Sequence, residues 1–188
     1  MDAKMKDKTI IFCLVGNSGC GKTMAAEYLS KCTNLPLVCS YTTRPMRDGE
    51  TNGREHYFVG VEEMPRRREM LAYTFFGGYH YWATKEQAKS DCIYVIDEEG
   101  VRSLVTEFGD DYVILPIHIT RESVDVDIAR QARDIARKPL GYNAFIAQVK
   151  NDGTKEDFLY EITEQVNLCL HNDYWVRTWY KHHKQYLL

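Results

Sequence analysis

Ile10-Ile11-Phe12-Cys13-Leu14-Val15 is an unbroken apolar run that ends at a glycine, the pattern of a strand covered on both faces. Pro36 to Cys39, Cys92 to Ile96 and Tyr112 to Ile119 repeat it, and Phe145 to Val149 is a weaker candidate ahead of Asn151-Asp152-Gly153. Helical spacing fills most of the intervals, at Met24 to Cys32, Glu98 to Phe108, Glu122 to Arg137 and Lys155 to Leu170. Buried strands alternating with helices predict an α/β fold: a parallel five-stranded sheet flanked by helices. From Ser40 to Lys89 the pattern changes to Gly, Thr, Arg and aromatic residues with weak alternation, which predicts a small antiparallel lobe inserted after the second strand. The chain is therefore expected to be one domain over residues 1–188, with a core from 1–39, 90–120 and 138–188, an inserted lobe at 40–89 and a separate helical segment at 121–137.

Composition narrows the function. The 188 residues are 44% hydrophobic and 27% charged, values of a folding chain rather than of a disordered or fibrous one. Lys plus Arg number 24 against 27 Asp plus Glu, a net charge of −3 that gives no general attraction to nucleic acid. No apolar run is long enough to suggest a membrane partner, and the stretch at Thr9 to Val15 is too short for a secretory signal. The six cysteines lack metal-ligand spacing and several lie in apolar stretches, as reduced thiols in a cytoplasmic protein would. Tyrosine is abundant at 13 residues, which points to pockets that need flat rings with polar tips.

Gly16-Asn17-Ser18-Gly19-Cys20-Gly21-Lys22-Thr23 matches G-x-x-x-x-G-K-T and lies where its mechanism requires, between a buried strand and a helix. Its glycines let backbone N–H groups turn inward around phosphate oxygens, Lys22 spans two phosphates, and the Thr23 hydroxyl is a Mg²⁺ ligand. The expected fold is thus that of P-loop NTPases with ATP as phosphoryl donor. Cys20 reads as a permissive loop position contributing its backbone, with a redox switch as the alternative.

A second anion site is suggested by Ser40-Tyr41-Thr42-Thr43-Arg44-Pro45-Met46-Arg47-Asp48-Gly49-Glu50-Thr51-Asn52-Gly53, where Arg44 and Arg47 are poised to clamp a phosphate by forked hydrogen bonds. This stretch, continued by Arg54-Glu55-His56-Tyr57-Phe58-Val59, by Phe76-Gly77-Gly78-Tyr79-His80-Tyr81 and by Asp97-Glu98-Glu99-Gly100-Val101-Arg102-Ser103, resembles the guanylate kinases. The resemblance implies an ATP-dependent nucleoside monophosphate kinase, with GMP or dGMP as the first expected acceptor. It implies that Arg44, Arg47 and Tyr81 hold the acceptor's phosphate, and that Ser40 and Asp97 face the acceptor nucleoside. His56 stands where the family has a phosphate-binding tyrosine, with Tyr57 adjacent as a substitute. Ala72 replaces the glutamate that reads guanine, and Ala83 replaces a serine on the base. Phosphate binding is thereby expected to be kept while base reading is altered, with Glu69, Tyr73 and Thr74 as candidate replacement readers and a solvated surface position as the stronger alternative for Glu69.

The stretch after the fourth strand corresponds to the family's mobile lid and is shorter here. Arg130, Arg133 and Arg137 share one helical face, as groups closing over a transferring phosphoryl would. The alternative is a solvated face balanced by Asp125, Asp127 and Asp134. Asn151 resembles the family's contact near the donor base, although a turn in which Thr154 caps the last helix explains the residues equally well. Two other functions remain open: a kinase of a phosphorylated sugar such as ribose bisphosphate, and a non-catalytic module that binds protein. The oligomer is expected to be a monomer or homodimer.

Overall fold

The structure is a computed structural model, and it describes residues 7–122 and 128–188, leaving aside the side chains of residues 129, 130 and 133. Its first sheet has five parallel strands in the order β2 (Leu37–Val38), β7 (Cys92–Val95), β1 (Ile10–Val15), β8 (Val113–Thr120) and β9 (Ala147–Lys150). Strand β1 lies at the centre, between β7 and β8, and every residue in it is buried. The unbroken run Ile10 to Val15 meets this placement, since both faces are covered by helices.

Helices α1 (Lys22–Thr33), α2 (Glu98–Phe108), α3 (Ile128–Ala136), α4 (Lys155–His171) and α5 (Asp173–His183) complete the core. Each of the two best-placed caps is local chemistry. Asp97 Oδ1 accepts the Gly100 N–H at 2.8 Å to start α2, and Thr154 Oγ1 accepts the Asp157 N–H at 3.1 Å to start α4. The aromatic C-terminal segment folds as α5, which buries Val176 and Tyr180 and leaves Tyr174 and Trp175 exposed. Arg177 fixes it by pairing with Asp173 and donating to the Lys8 carbonyl at 2.9 Å.

The insert forms a second sheet in the order β4 (Tyr57–Phe58), β3 (Tyr41–Thr42), β6 (Tyr79–Thr84), β5 (Met70–Phe76). It is mixed rather than antiparallel. Strands β5 and β6 form an antiparallel hairpin and β3 pairs antiparallel with β6, but β4 runs parallel to β3. The long loop from Thr43 to His56 carries the chain back across the lobe, so β4 begins at the same end as β3. Other expected elements are shorter than their apolar runs. The second strand spans two residues instead of Pro36 to Cys39, and the fifth shifts from Phe145–Val149 to Ala147–Lys150. Within the helical stretch expected from Glu122 to Arg137, a helix is described over Ile128–Ala136. Residues 123–127, including Asp125 and Asp127, lie outside the described residues.

Candidate active site

The turn from β1 into α1 gives the phosphate loop its shape. Gly19 and Gly21 have φ of 76° and 104°, values that a residue with a Cβ rarely adopts. At Gly16 the constraint is also steric: a Cβ there would lie 2.1 Å from the Ile119 carbonyl oxygen of neighbouring β8. Asn151, expected beside the donor base, braces the loop from behind. It is buried and its Nδ2 donates to the Cys20 carbonyl at 2.9 Å. The Cys20 thiol is also buried, 3.7 Å from Lys22 Nζ, so this residue supports the loop from within.

Lys22 Nζ donates to the carbonyls of Gly16 at 2.8 Å and Asn17 at 2.6 Å. Burial draws its pKa below the ordinary lysine value, with Cys20 acting in the opposite sense and Arg137 in the same one. Thr23 faces the same space. Helix α3 crosses the mouth of the loop: Asp134 accepts hydrogen bonds from Ser18, and Arg137 donates to the Gly16 carbonyl at 2.7 Å and to Glu98 at 2.7 Å. Arg130 and Arg133 belong to this helix by their backbone, while their side chains lie outside the described residues.

A single cleft of about 700 Å³ runs from the loop to the inserted sheet. Gly16, Ser18, Gly19, Lys22 and Thr23 line the end at the loop, and Ser40, Arg44, Arg47, His56 and Tyr81 line the other. Asp97 borders the space between them. Sequence positions more than twenty residues from the loop are brought to it because β7 lies beside β1 in the core sheet, while β2 leads directly into the lobe.

At the lobe end Arg44 is buried and forms a two-pronged pair with Glu50, at 3.0 and 2.9 Å. Desolvation opposes the charge of both groups, but the pair and the Arg47 backbone N–H on Glu50 outweigh it, so Arg44 is raised and Glu50 lowered from their ordinary values. Glu50 therefore fixes the guanidinium in place, a role that the G-E step of the sequence motif could have signalled. The Arg47 side chain faces the cleft from the exposed turn.

His56 occupies the cleft beside Ser40, with Oγ and Nδ1 2.8 Å apart, and its ring meets Tyr81 edge-on at 5.7 Å. Burial, reinforced by Arg44, pulls its pKa down to about 4, so the imidazole is neutral at pH 7. Tyr57 does not join it. Its ring stacks on Tyr41 at 4.9 Å and lies outside the cleft lining.

The wall of β5 contributes Ala72, Tyr73, Thr74, Phe75 and Phe76. Ala72 and Ala83 are cross-strand partners and both are buried, so no carboxylate rises from this step of the hairpin. Thr74 stands two residues beyond Ala72, while Glu69 lies outside the cleft lining, exposed beside Arg68. Sequence reading passed over Glu98, Asp134 and Arg137 as a connected group. The signal was present only as isolated charges, since their meeting depends on α3 lying across α2 and the loop.

Comparison with known proteins agrees with this architecture. A family profile described as guanylate kinase matches residues 6–133. Among curated relatives, the guanylate kinase of Rickettsia prowazekii is 32% identical over 133 residues, 65% of this chain and 66% of that protein. That of Cupriavidus metallidurans is 32% identical over 122 residues, 58% of this chain and 56% of the relative. The chain thus spans less than two thirds of the length of these relatives. A crystal structure of guanylate kinase from Anaplasma phagocytophilum superposes with a TM-score of 0.62 at 21% identity, covering 86% of both chains, and carries the likeness of fold. With the profile matching well over half of its residues, this chain belongs to the guanylate kinase family.

Proposed function

We propose that the protein transfers the γ-phosphoryl group of ATP to a nucleoside monophosphate. One observation carries this reading: a single cleft has a phosphate loop at one end and the Arg44, Arg47, His56 and Tyr81 cluster at the other, so two phosphorylated molecules can meet within it. The acceptor phosphate is itself an anionic nucleophile, and alignment with charge neutralisation suffices for transfer. Lys22 binds the donor's terminal phosphates, Arg44 and Arg47 orient the acceptor phosphate, and neutral His56 adds a hydrogen bond without a further charge. Asp97, its Oδ1 held by the α2 cap, borders the acceptor nucleoside with Ser40. Arg130 and Arg133 of α3 close over the transferring group.

The donor set suits Mg²⁺. Among the described residues no cluster of three or more His, Cys, Asp or Glu side chains is arranged to hold a metal by itself. A hard cation bound by nucleotide phosphates and one protein hydroxyl needs no such cluster, and Thr23 in the cleft is that hydroxyl. When bound, the ion neutralises charge on the donor phosphates. GMP and dGMP are the first acceptors to test, with another base as the alternative because Ala72 and Ala83 stand in place of polar readers.

A coupled assay of ADP release across GMP, dGMP, AMP, CMP, UMP and dTMP tests the reading. Turnover with one or more of them is expected; ATP binding without turnover on any would discard it, in favour of a sugar-phosphate acceptor or a protein-binding role. The chain is expected to work in the cytoplasm as a monomer or homodimer, and among the described residues no helix is long and apolar enough to cross a membrane.

A further inference from the structure

Asp134 enters the sequence reading only as a counter-charge on the lid face, yet both of its carboxylate oxygens are engaged by the phosphate loop. Oδ2 accepts the Ser18 backbone N–H at 3.0 Å, and Oδ1 accepts the Ser18 hydroxyl at 3.1 Å. These donors sit in the turn whose N–H groups suit phosphate oxygens. An ionised carboxylate is a phosphate-like occupant: anionic, and an acceptor only. The contact is sheltered, with the Asp134 side chain 13% exposed, and is reinforced one turn further on, where Arg137 binds the Gly16 carbonyl and Glu98. A solvated counter-charge would face water and its own helix. This one reaches across 116 residues of sequence to a ligand-binding turn.

We infer that Asp134 is a built-in competitor for the donor's phosphates: α3 seats its carboxylate in the loop, and a polyphosphate enters by displacing it. The inference rests on the reading of the loop as a nucleotide phosphate site. Displacement exchanges one anion for another at the same donors, so the measured affinity is the intrinsic one reduced by the fraction of molecules whose loop is already vacated. It also links phosphate entry to the position of α3, because the incoming anion breaks the contacts that hold the helix to Ser18. Arg137, paired with Asp134 at 3.4 Å, loses that partner in the same event.

Calorimetric titration with ADP and, separately, with inorganic pyrophosphate, both with Mg²⁺ present, tests this on the intact protein. Asp134→Ala removes the carboxylate and places a strong helix former in α3, so the fold is retained. It is expected to bind both probes about 5- to 20-fold more tightly than wild type. Asp134→Asn, which keeps an acceptor but not the charge, is expected to tighten binding by a smaller factor and supplies the same comparison should the alanine variant not fold. Glu99→Gln is the control, since Glu99 borders the cleft but is largely exposed and leaves the loop untouched; its expected change is below about twofold. Unchanged or weaker binding in both Asp134 variants overturns the inference, as does equal tightening in Glu99→Gln, which would make the effect one of general charge. Wild-type protein that binds ADP and pyrophosphate without any gain on Asp134 replacement removes this inference alone. Failure of wild type to bind either probe removes the nucleotide reading and this inference together.

Discussion

On the proposed reading, the two ends of the cleft hold the same kind of group by different means. At the donor end the ligands are chiefly backbone groups of one short turn, shaped by Gly16, Gly19 and Gly21 and held between β1 and α1. At the acceptor end they are side chains from several segments, with Arg44 fixed by Glu50 and His56 fixed by Ser40. A backbone site is tolerant of side-chain identity but intolerant of added volume. A side-chain site is the reverse: the scaffold survives substitution, while affinity depends on each group and its partner. Mutations at the two ends should therefore separate stability from binding.

The largest effect is expected at Lys22, the charged side chain of the loop itself. Lys22→Ala should lower kcat by about 1000-fold or more, since a charge placed against the developing phosphoryl charge has no substitute in the turn. Circular dichroism should show an unchanged fold. Steady-state ADP release by this variant at even a tenth of the wild-type rate would remove Lys22 from the chemistry. Next is Gly16→Ala. A Cβ 2.1 Å from the Ile119 carbonyl cannot be accommodated without moving β8 or the loop, because the obstacle is backbone. Destabilisation of about 2–3 kcal/mol by urea denaturation is expected, with ATP affinity falling alongside it. Full stability in this variant would mean that the loop is not clamped against the sheet.

Arg44→Lys should behave in the opposite way. The replacement keeps the charge but loses the planar fork that bridges Glu50 and an acceptor phosphate. An acceptor KM raised roughly 10- to 100-fold is expected, with ATP affinity unaltered, a cost of about 1.4–2.8 kcal/mol confined to one end of the cleft. A matching loss of ATP binding would show that the two ends are not independent.

The same contrast explains what could be read from the chain. The donor turn is contiguous, so its residues, its flanking strand and its helix were legible together, and the strands of the core sheet followed from their apolar runs, the second shortened and the fifth shifted. The lobe was harder because alternation there is weak; the parallel pairing of β4 with β3 depends on how the Thr43 to His56 loop returns, which no local pattern encodes. Tyr57 and His56 are adjacent in sequence, yet His56 lines the cleft while Tyr57 stacks on Tyr41 outside it, so choosing between them needed the course of the chain through the lobe. Asn151 was found as a conspicuous polar residue, but its role as a strut requires knowing that β9 ends behind the loop. Longest in range is the meeting of Asp134 with Ser18, visible only once α3 is laid across the turn.

At neutral pH the smallest effect should come from His56, whose protonation begins to matter only in acid, where the acceptor end leaves a mark on pH dependence. Its folded pKa of about 4 is below the ordinary 6.5 because burial, and then Arg44, disfavour the charged ring. Between those values the unfolded chain binds more protons than the folded one, so stability rises with pH. The contribution is therefore fully present above pH 6.5 and is lost as pH falls toward 4. It amounts to as much as about 3 kcal/mol if the whole shift is realised. His56→Gln preserves a polar group near Ser40 but cannot titrate. Its melting temperature should fall less steeply than that of wild type between pH 6.5 and 4, while Glu50, held below the ordinary carboxylate value, continues to contribute to acid loss in both proteins. Parallel curves for the two proteins would place a neutral histidine outside the energetics of the acceptor end and leave the acid loss to groups such as the Arg44–Glu50 pair.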